Sequence, residues 1–279
     1  MAEDPAGLAV PTRVARAIPS GNDYFGFRVE RDFTDGDAYW RGLLLAVGAS
    51  PASFAHLSIV KRLAGCNLVA DPRIWPLKIA RLAASFGGAL PGVCAGSVFL
   101  EDAMIGPLTA RHAAEFLLDI STHWTGDDSG ESLAEELRRR RLLGRRFPGY
   151  GVAFRQLDER VGVIDRIVRE EGRDGGKYWR SSKLVETLLS DRRPLPRNAG
   201  CAAAAALLDC GLSPLQVGLI TWNYVVPTYL ANAVEGADHA APILQQLPAS
   251  AVRYDGPPPR VSPAAAAGHY APAPTGSRR

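Results

Sequence analysis

Phe147-Pro148-Gly149-Tyr150-Gly151, followed by Asp158-Glu159-Arg160, is the stretch from which the architecture is read. It reads as a Gly/Pro loop leading into a helix, because Arg155 to Glu171 repeats Val161, Ile164, Ile167 and Val168 at helical spacing. Upstream, Leu133 to Leu143 reads as a basic helix carrying Arg138 to Arg141 behind Glu135 and Glu136. That run suits a solvated helix face, or an anionic ligand at the loop that follows. Further out, Lys78 to Phe86 places Ile79, Leu82, Ala83 and Phe86 on one stripe, and Leu108 to Ile120 has the same period. Ser182 to Leu189 and Ala202 to Leu208 are two more helices, and Pro214 to Ile220 starts another with Ser213 as N-cap. No run alternates as a half-buried strand does. Helices joined by short Gly/Pro loops predict an all-α fold.

Composition narrows the function classes. The chain has 279 residues, 32 Lys and Arg against 29 Asp and Glu, and a net charge of +3. That balance produces no dominant field, so no nucleic-acid or membrane partner is expected. The most apolar stretch, Leu212 to Val234, is interrupted by Pro214, Gln216, Asn223 and Pro227, which argues against a membrane span. The acidic start, Met1-Ala2-Glu3-Asp4-Pro5, has no apolar signal region, so a cytoplasmic protein is expected. Cys66, Cys94, Cys201 and Cys210 show no C-x-x-C spacing and read as small buried hydrophobes. No metal site, phosphate loop, nucleophile elbow or dinucleotide fingerprint is present, and no cofactor is predicted.

Four segments together resemble the citrate synthase and citryl-CoA lyase superfamily. The loop at Phe147 to Gly151 looks like the family's P-G-F/Y-G-H, and Asp158-Glu159-Arg160 like its D-P-R. Ile105-Gly106-Pro107-Leu108 is similar to G-P-L-H-G-G-A. Leu195-Pro196-Arg197-Asn198-Ala199-Gly200 is similar to P-L-N-V-D-G ahead of an Ala/Leu helix. Pro227 to Glu235 is similar to P-G-L-I-A-H-A-L-E. The resemblance covers about residues 65–240 and implies a citrate-synthase-like helical fold of two domains. The expected division is an irregular segment at 1–20, a large domain over 21–108 and 201–253, a small domain over 109–200, and a disordered Pro/Ala-rich tail at 254–279. It also implies a homodimer.

The family's chemistry needs an Asp base, a His that stabilises the resulting enol, a second His on the ketone, and arginines on carboxylates. Here the first His position falls on Thr109, the second on Val152 and the Asp on Gly200. The Arg of the C-terminal helix falls on Val225, and only Arg160 matches a carboxylate-binding Arg. Thr, Val and Gly cannot perform the proton transfers. His112, three residues after Thr109, is a relocated acid/base or an ordinary helix histidine.

A replacement site is offered by Phe99-Leu100-Glu101-Asp102 just before Ile105-Gly106-Pro107, and by Asp71-Pro72-Arg73-Ile74-Trp75 on a segment read as irregular. A carboxylate facing an apolar cleft has a raised pKa and suits proton shuttling, and an Arg suits a carboxylate. This arrangement resembles bacterial β-carboline-forming Pictet–Spengler enzymes of the marinacarboline type. The resemblance implies Glu101 as the catalytic acid/base and Arg73 as the aldehyde carboxylate's partner. That family also uses a His between its Arg and Glu, and none lies between Arg73 and Glu101. The reaction would join L-tryptophan to a small oxo-acid aldehyde through an iminium ion. Trp75, Phe99 and Tyr150 are available to stack on the indole, or are plain core. Arg73 and Arg160 are available for carboxylates, with Asp102, Thr109 and His112 lining the cleft. The alternatives are a CoA-thioester carbon–carbon lyase or ligase on relocated residues, and a catalytically dead partner-binding protein.

Overall fold

The computed structural model describes residues 11–68, 74–100, 106–126, 129–152, 156–190, 194–239, 248–251, 253–258, 260–261 and 263–266. The chain divides into two units, Met1–His239 and Ala240–Arg279.

The first unit begins with a small antiparallel sheet of β1 (Ala15–Ile18), β2 (Gly21–Tyr24) and β3 (Phe27–Arg28), in that order. Part of the segment expected to be irregular at 1–20 is thus a strand at Ala15–Ile18, while residues 1–10 lie outside the described residues. Both faces of β1 are mostly exposed, so it shows no hydrophobic alternation. Its register is instead marked by charge. Asp23 stands opposite both Arg16 and Arg28 and pairs with them at 2.8 and 3.0 Å. The β2–β3 turn has positive φ at both Phe25 (49°) and Gly26 (85°), the twist that a two-residue hairpin favours.

Helices carry the rest. They are α1 (Val29–Asp32), α2 (Ala38–Ala46), α3 (Leu57–Gly65), α4 (Trp75–Gly87), α5 (Ala89–Val98) and α6 (Pro107–Ile120). They continue as α7 (Glu131–Leu142), α8 (Glu159–Glu170), α9 (Lys177–Leu189), α10 (Ala199–Asp209) and α11 (Pro214–Ala237). The all-α expectation holds for the fold as a whole. Trp75, expected on irregular chain, is the first residue of α4, because Ile74 is still extended and Pro76 sits in the first turn.

α10 is the hub. Its residues Ala199 and Cys201 to Leu208 are all buried, and it touches α6, α8, α9 and α11. A helix apolar on every side belongs inside a protein, and its alanines let four neighbours approach at once. α11 runs unbroken through Pro227, starting from a capping box between Ser213 and Gln216. α11 buries Val217, Ile220 and Tyr224 on one side of its first half, and Tyr229 and Ala233 further along. Leu215, Leu219, Leu230 and Val234 of the same helix are exposed to solvent.

α4 and α5 form a hairpin against α11. A Cβ on Gly96 would lie 2.8 Å from Ala80 Cβ and 2.9 Å from Pro76 O, so only glycine permits that approach. Of the four cysteines, Cys66, Cys201 and Cys210 are buried as expected, whereas Cys94 on α5 is exposed. One apolar core runs from Leu44 and Leu63 through Ile164 and Trp179 to Tyr224. It therefore crosses the expected 108/109 and 200/201 divisions. Among the described residues, no helix is long and apolar enough to cross a membrane.

The second unit holds a 3-10 turn at Ala249–Ala251 and one helical turn, α12 (Pro263–Ala266). α12 lies in the tail expected to be disordered. Proline at its first position followed by alanines accounts for it.

Candidate functional site

Three segments of the resemblance meet at the N-terminus of α10. The loop at 147–151 pairs with 196–198 through a bridge between Tyr150 and Arg197. Gly151 N donates to Pro196 O at 2.8 Å, and Asn198 N donates to Gly149 O at 2.9 Å. Asn198 does more with its side chain. Its Oδ1 accepts from Cys201 N at 3.0 Å, capping α10, while its Nδ2 donates to Gly151 O at 3.2 Å. The loop lies so close that a Cβ on Gly149 would stand 2.7 Å from Cys201 Cβ and 2.8 Å from Ala113 Cβ. Gly149 also has φ +87°, a conformation that side chains other than glycine rarely adopt.

The start of α6 completes the junction. A Cβ on Gly200 would lie 3.3 Å from Thr109 Cγ2 and 3.1 Å from Asn198 Oδ1. The two positions that matched an Asp base and its His partner are therefore spatial neighbours, and neither carries a titratable group. His112 is half-exposed one turn further along α6, with no hydrogen-bond partner among the described residues.

Arg160 is committed elsewhere than expected. Its Nε and Nη2 donate to the two carboxylate oxygens of Asp158, both at 2.8 Å. Asp158 Oδ2 also accepts from Ala199 N at 2.8 Å. Burial pushes the Asp158 carboxyl up, but the Arg160 guanidinium and the Ala199 N–H outweigh it and hold the pKa below the ordinary value. This fork–fork pair ties the start of α8 to the start of α10. Arg160, expected to be available to a substrate carboxylate, thus has its Nε and Nη2 engaged by Asp158 while its side chain stays 34% exposed.

Tyr150 is also corrected. It is buried, its hydroxyl donates to Ser182 O at 2.9 Å, and its ring meets Phe116 edge-on at 5.9 Å. It packs the core and offers no face for stacking. Burial pushes its hydroxyl well above the usual range and pushes the adjoining Cys201 thiol up to about 12. Cys201 therefore has no thiolate character at neutral pH.

Arg197 and Asn198 were not picked out as site residues, and both prove central. Arg197 is 2% exposed. It donates to Glu186 Oε2 at 2.8 Å, Asp165 Oδ1 at 3.0 Å and Ser182 Oγ at 3.2 Å. Its guanidinium also lies 5.0 Å from the Trp179 ring centroid. An N-cap residue before an Ala/Leu helix was the sequence signal for Asn198. A single Arg in a loop carried none.

Trp75 and Phe99 belong to a different neighbourhood. Their rings meet edge-on at 5.4 Å. Leu100 packs with Leu77, Ala80 and Tyr229 in a second, smaller core, against which Trp222 is packed. Phe99 is 36% exposed. Arg73, Glu101 and Asp102 lie outside the described residues. The structure thus gathers Thr109, Tyr150 and Arg160 at one junction, and Trp75 with Phe99 at another.

Comparison with solved structures supports the fold. The citryl-CoA lyase from Hydrogenobacter thermophilus matches with a TM-score of 0.69 at 19% identity, over 92% of this chain and 99% of that one. The ATP citrate lyase of Methanosaeta concilii, solved as a D541A mutant with (3S)-citryl-CoA, matches at 0.61 and 15% identity, over 90% of this chain and 42% of that one. A citrate synthase from Thermoplasma acidophilum, solved with carboxymethyl coenzyme A and oxaloacetate, matches at 0.52 and 15% identity, over 82% and 60%. No family model matches the sequence, and a search of curated proteins finds no match. The chain has a citrate-synthase-like fold.

Proposed function

We propose that the chain is a citrate-synthase-like protein that binds a CoA thioester or a related carboxylate at the α6–α10 junction without enolising it. One observation carries this reading. Thr109 and Gly200 stand side by side where an acid–base pair would have to work, and neither can accept a proton from carbon at neutral pH. The loop clasp at 149–151 and 196–198 is nevertheless intact, which favours a retained binding role over a decayed cleft.

Two measurements test it. Calorimetry with coenzyme A and acetyl-CoA is expected to give saturable heat. Proton NMR in deuterium oxide is expected to show no exchange of the acetyl-CoA methyl protons. Exchange that disappears in His112→Ala overturns the reading and assigns a relocated base, making the chain a CoA-thioester carbon–carbon enzyme. Absence of both heat and exchange leaves a partner-binding protein.

A second reading has its own support. Trp75 and Phe99, each two residues from Arg73 or Glu101 in sequence, form an edge-on aromatic pair. Such a pair suits an indole. In this reading Glu101 is the acid/base and Arg73 holds the aldehyde carboxylate in a Pictet–Spengler cyclisation of L-tryptophan. Incubation with tryptophan and a small oxo-acid aldehyde, read by mass spectrometry, should give the mass of the tetrahydro-β-carboline formed with loss of one water. Full turnover in Glu101→Ala removes the role assigned to that residue.

The protein is proposed to act as a homodimer. α11 exposes two apolar pairs, Leu215 with Leu219 and Leu230 with Val234, which a partner copy would cover.

A further inference from the structure

The C-terminal corner of α7 combines two features that rarely occur together on a solvated helix end. Leu142 is 88% exposed and Leu143 58% exposed, side by side at the corner where the helix stops. Around them stand Arg138, Arg141, Arg145 and Arg146, all exposed. Arg138 pairs with Glu135, and Arg141 donates to Leu189 O at 3.4 Å. Arg145 and Arg146 have no carboxylate partner among the described residues.

Arginines at a helix C-terminus complement its dipole, which accounts for the charges but not for two leucines turned into water between them. We propose that this corner docks on an anionic lipid surface, with the two leucines entering the acyl boundary and the arginines on the headgroup phosphates. The pattern favours a bilayer over a folded partner. Leu142 and Leu143 stand exposed with arginines before and after them, which suits a soft apolar layer bordered by negative charge. Net charge did not reveal this, because +3 for the whole chain averages over a local concentration of arginine. The corner immediately precedes the Phe147 loop in sequence.

Flotation of the full chain with vesicles tests the assignment. Binding is expected to vesicles of phosphatidylcholine mixed with phosphatidylglycerol, to be absent with phosphatidylcholine alone, and to weaken as salt is raised. Arg145→Glu with Arg146→Glu should weaken binding by about thirtyfold or more, at roughly a factor of five for each arginine lost near the surface and more for charge reversal. Leu142→Ser with Leu143→Ser should weaken it at unchanged charge. Circular dichroism should show all variants folded, since every altered side chain is exposed. The proposal is overturned if the anionic vesicles float without protein or if the leucine pair makes no difference to binding. It is also overturned if the native chain ignores vesicles yet binds pyrophosphate or poly-glutamate through Arg145 and Arg146. Those outcomes would assign a soluble anion or an acidic protein.

Discussion

Gly149 shows how much the site depends on a single atom left out. With φ +87° and Cys201 Cβ within 2.7 Å of where its own Cβ would be, Gly149→Ala must strain the backbone and push α10 from the loop. A loss of about 3 kcal/mol is expected, read from urea unfolding. Asp158 offers a test by pH. Its native pKa is below the unfolded value of about 3.9, so its pairing stabilises fully above that value. The contribution is lost as pH falls through the native pKa. Asp158→Asn should cost about 2 kcal/mol near neutrality and flatten the acid limb of stability against pH. At this scale the sequence was only partly readable. The absence of acid and base at Thr109 and Gly200 could be seen by position alone. The commitment of Arg160 to Asp158, two residues away, could not, because an Arg beside an Asp looks the same whether the pair is open or closed.

Among the elements, α6 and α8 were legible because their apolar residues recur on one stripe, and the Ala/Leu run of α10 marked a helix without showing that it is buried all round. α5 was not. Pro91, Gly92 and Gly96 depress helix propensity, and the reason for them, close approach to Ala80 and Pro76, is tertiary. The sheet at 15–28 was equally hidden, since a charge ladder rather than alternation marks its register. The length of α11 was hidden by Pro227, which the structure carries within the helix on its exposed side. The hub helix yields the clearest test. Ala204 is fully buried, and Ala204→Leu adds three carbons where four helices converge. A cost of about 2 kcal/mol or more is expected from overpacking, measured as a lower thermal midpoint. The same change at exposed Ala231 should be nearly neutral.

For the molecule as a whole, the exposed apolar pairs of α11 predict association. Sedimentation should give a dimer at micromolar concentration, and Leu219→Glu with Leu230→Glu should give a monomer that keeps its helical signal. A native monomer would remove the dimer proposal. Overall class was the most readable property, since four segments in the right order implied the fold that solved structures share with it. Domain division was less so, because a core running from Leu44 to Ile164 and Tyr224 carries no mark in sequence of where one lobe ends.

The position of α10 along the chain bears on how the protein is made. Its neighbours α6, α8 and α9 are all synthesised before it. Until residues 199–209 leave the ribosome, those helices surround an empty centre, and their apolar faces have only one another to cover them. The centre of the core is therefore filled late, with only α11 among its helical neighbours still to come. It should depend on holding chaperones over that interval, and a chain halted before residue 199 should be cleared rather than accumulate.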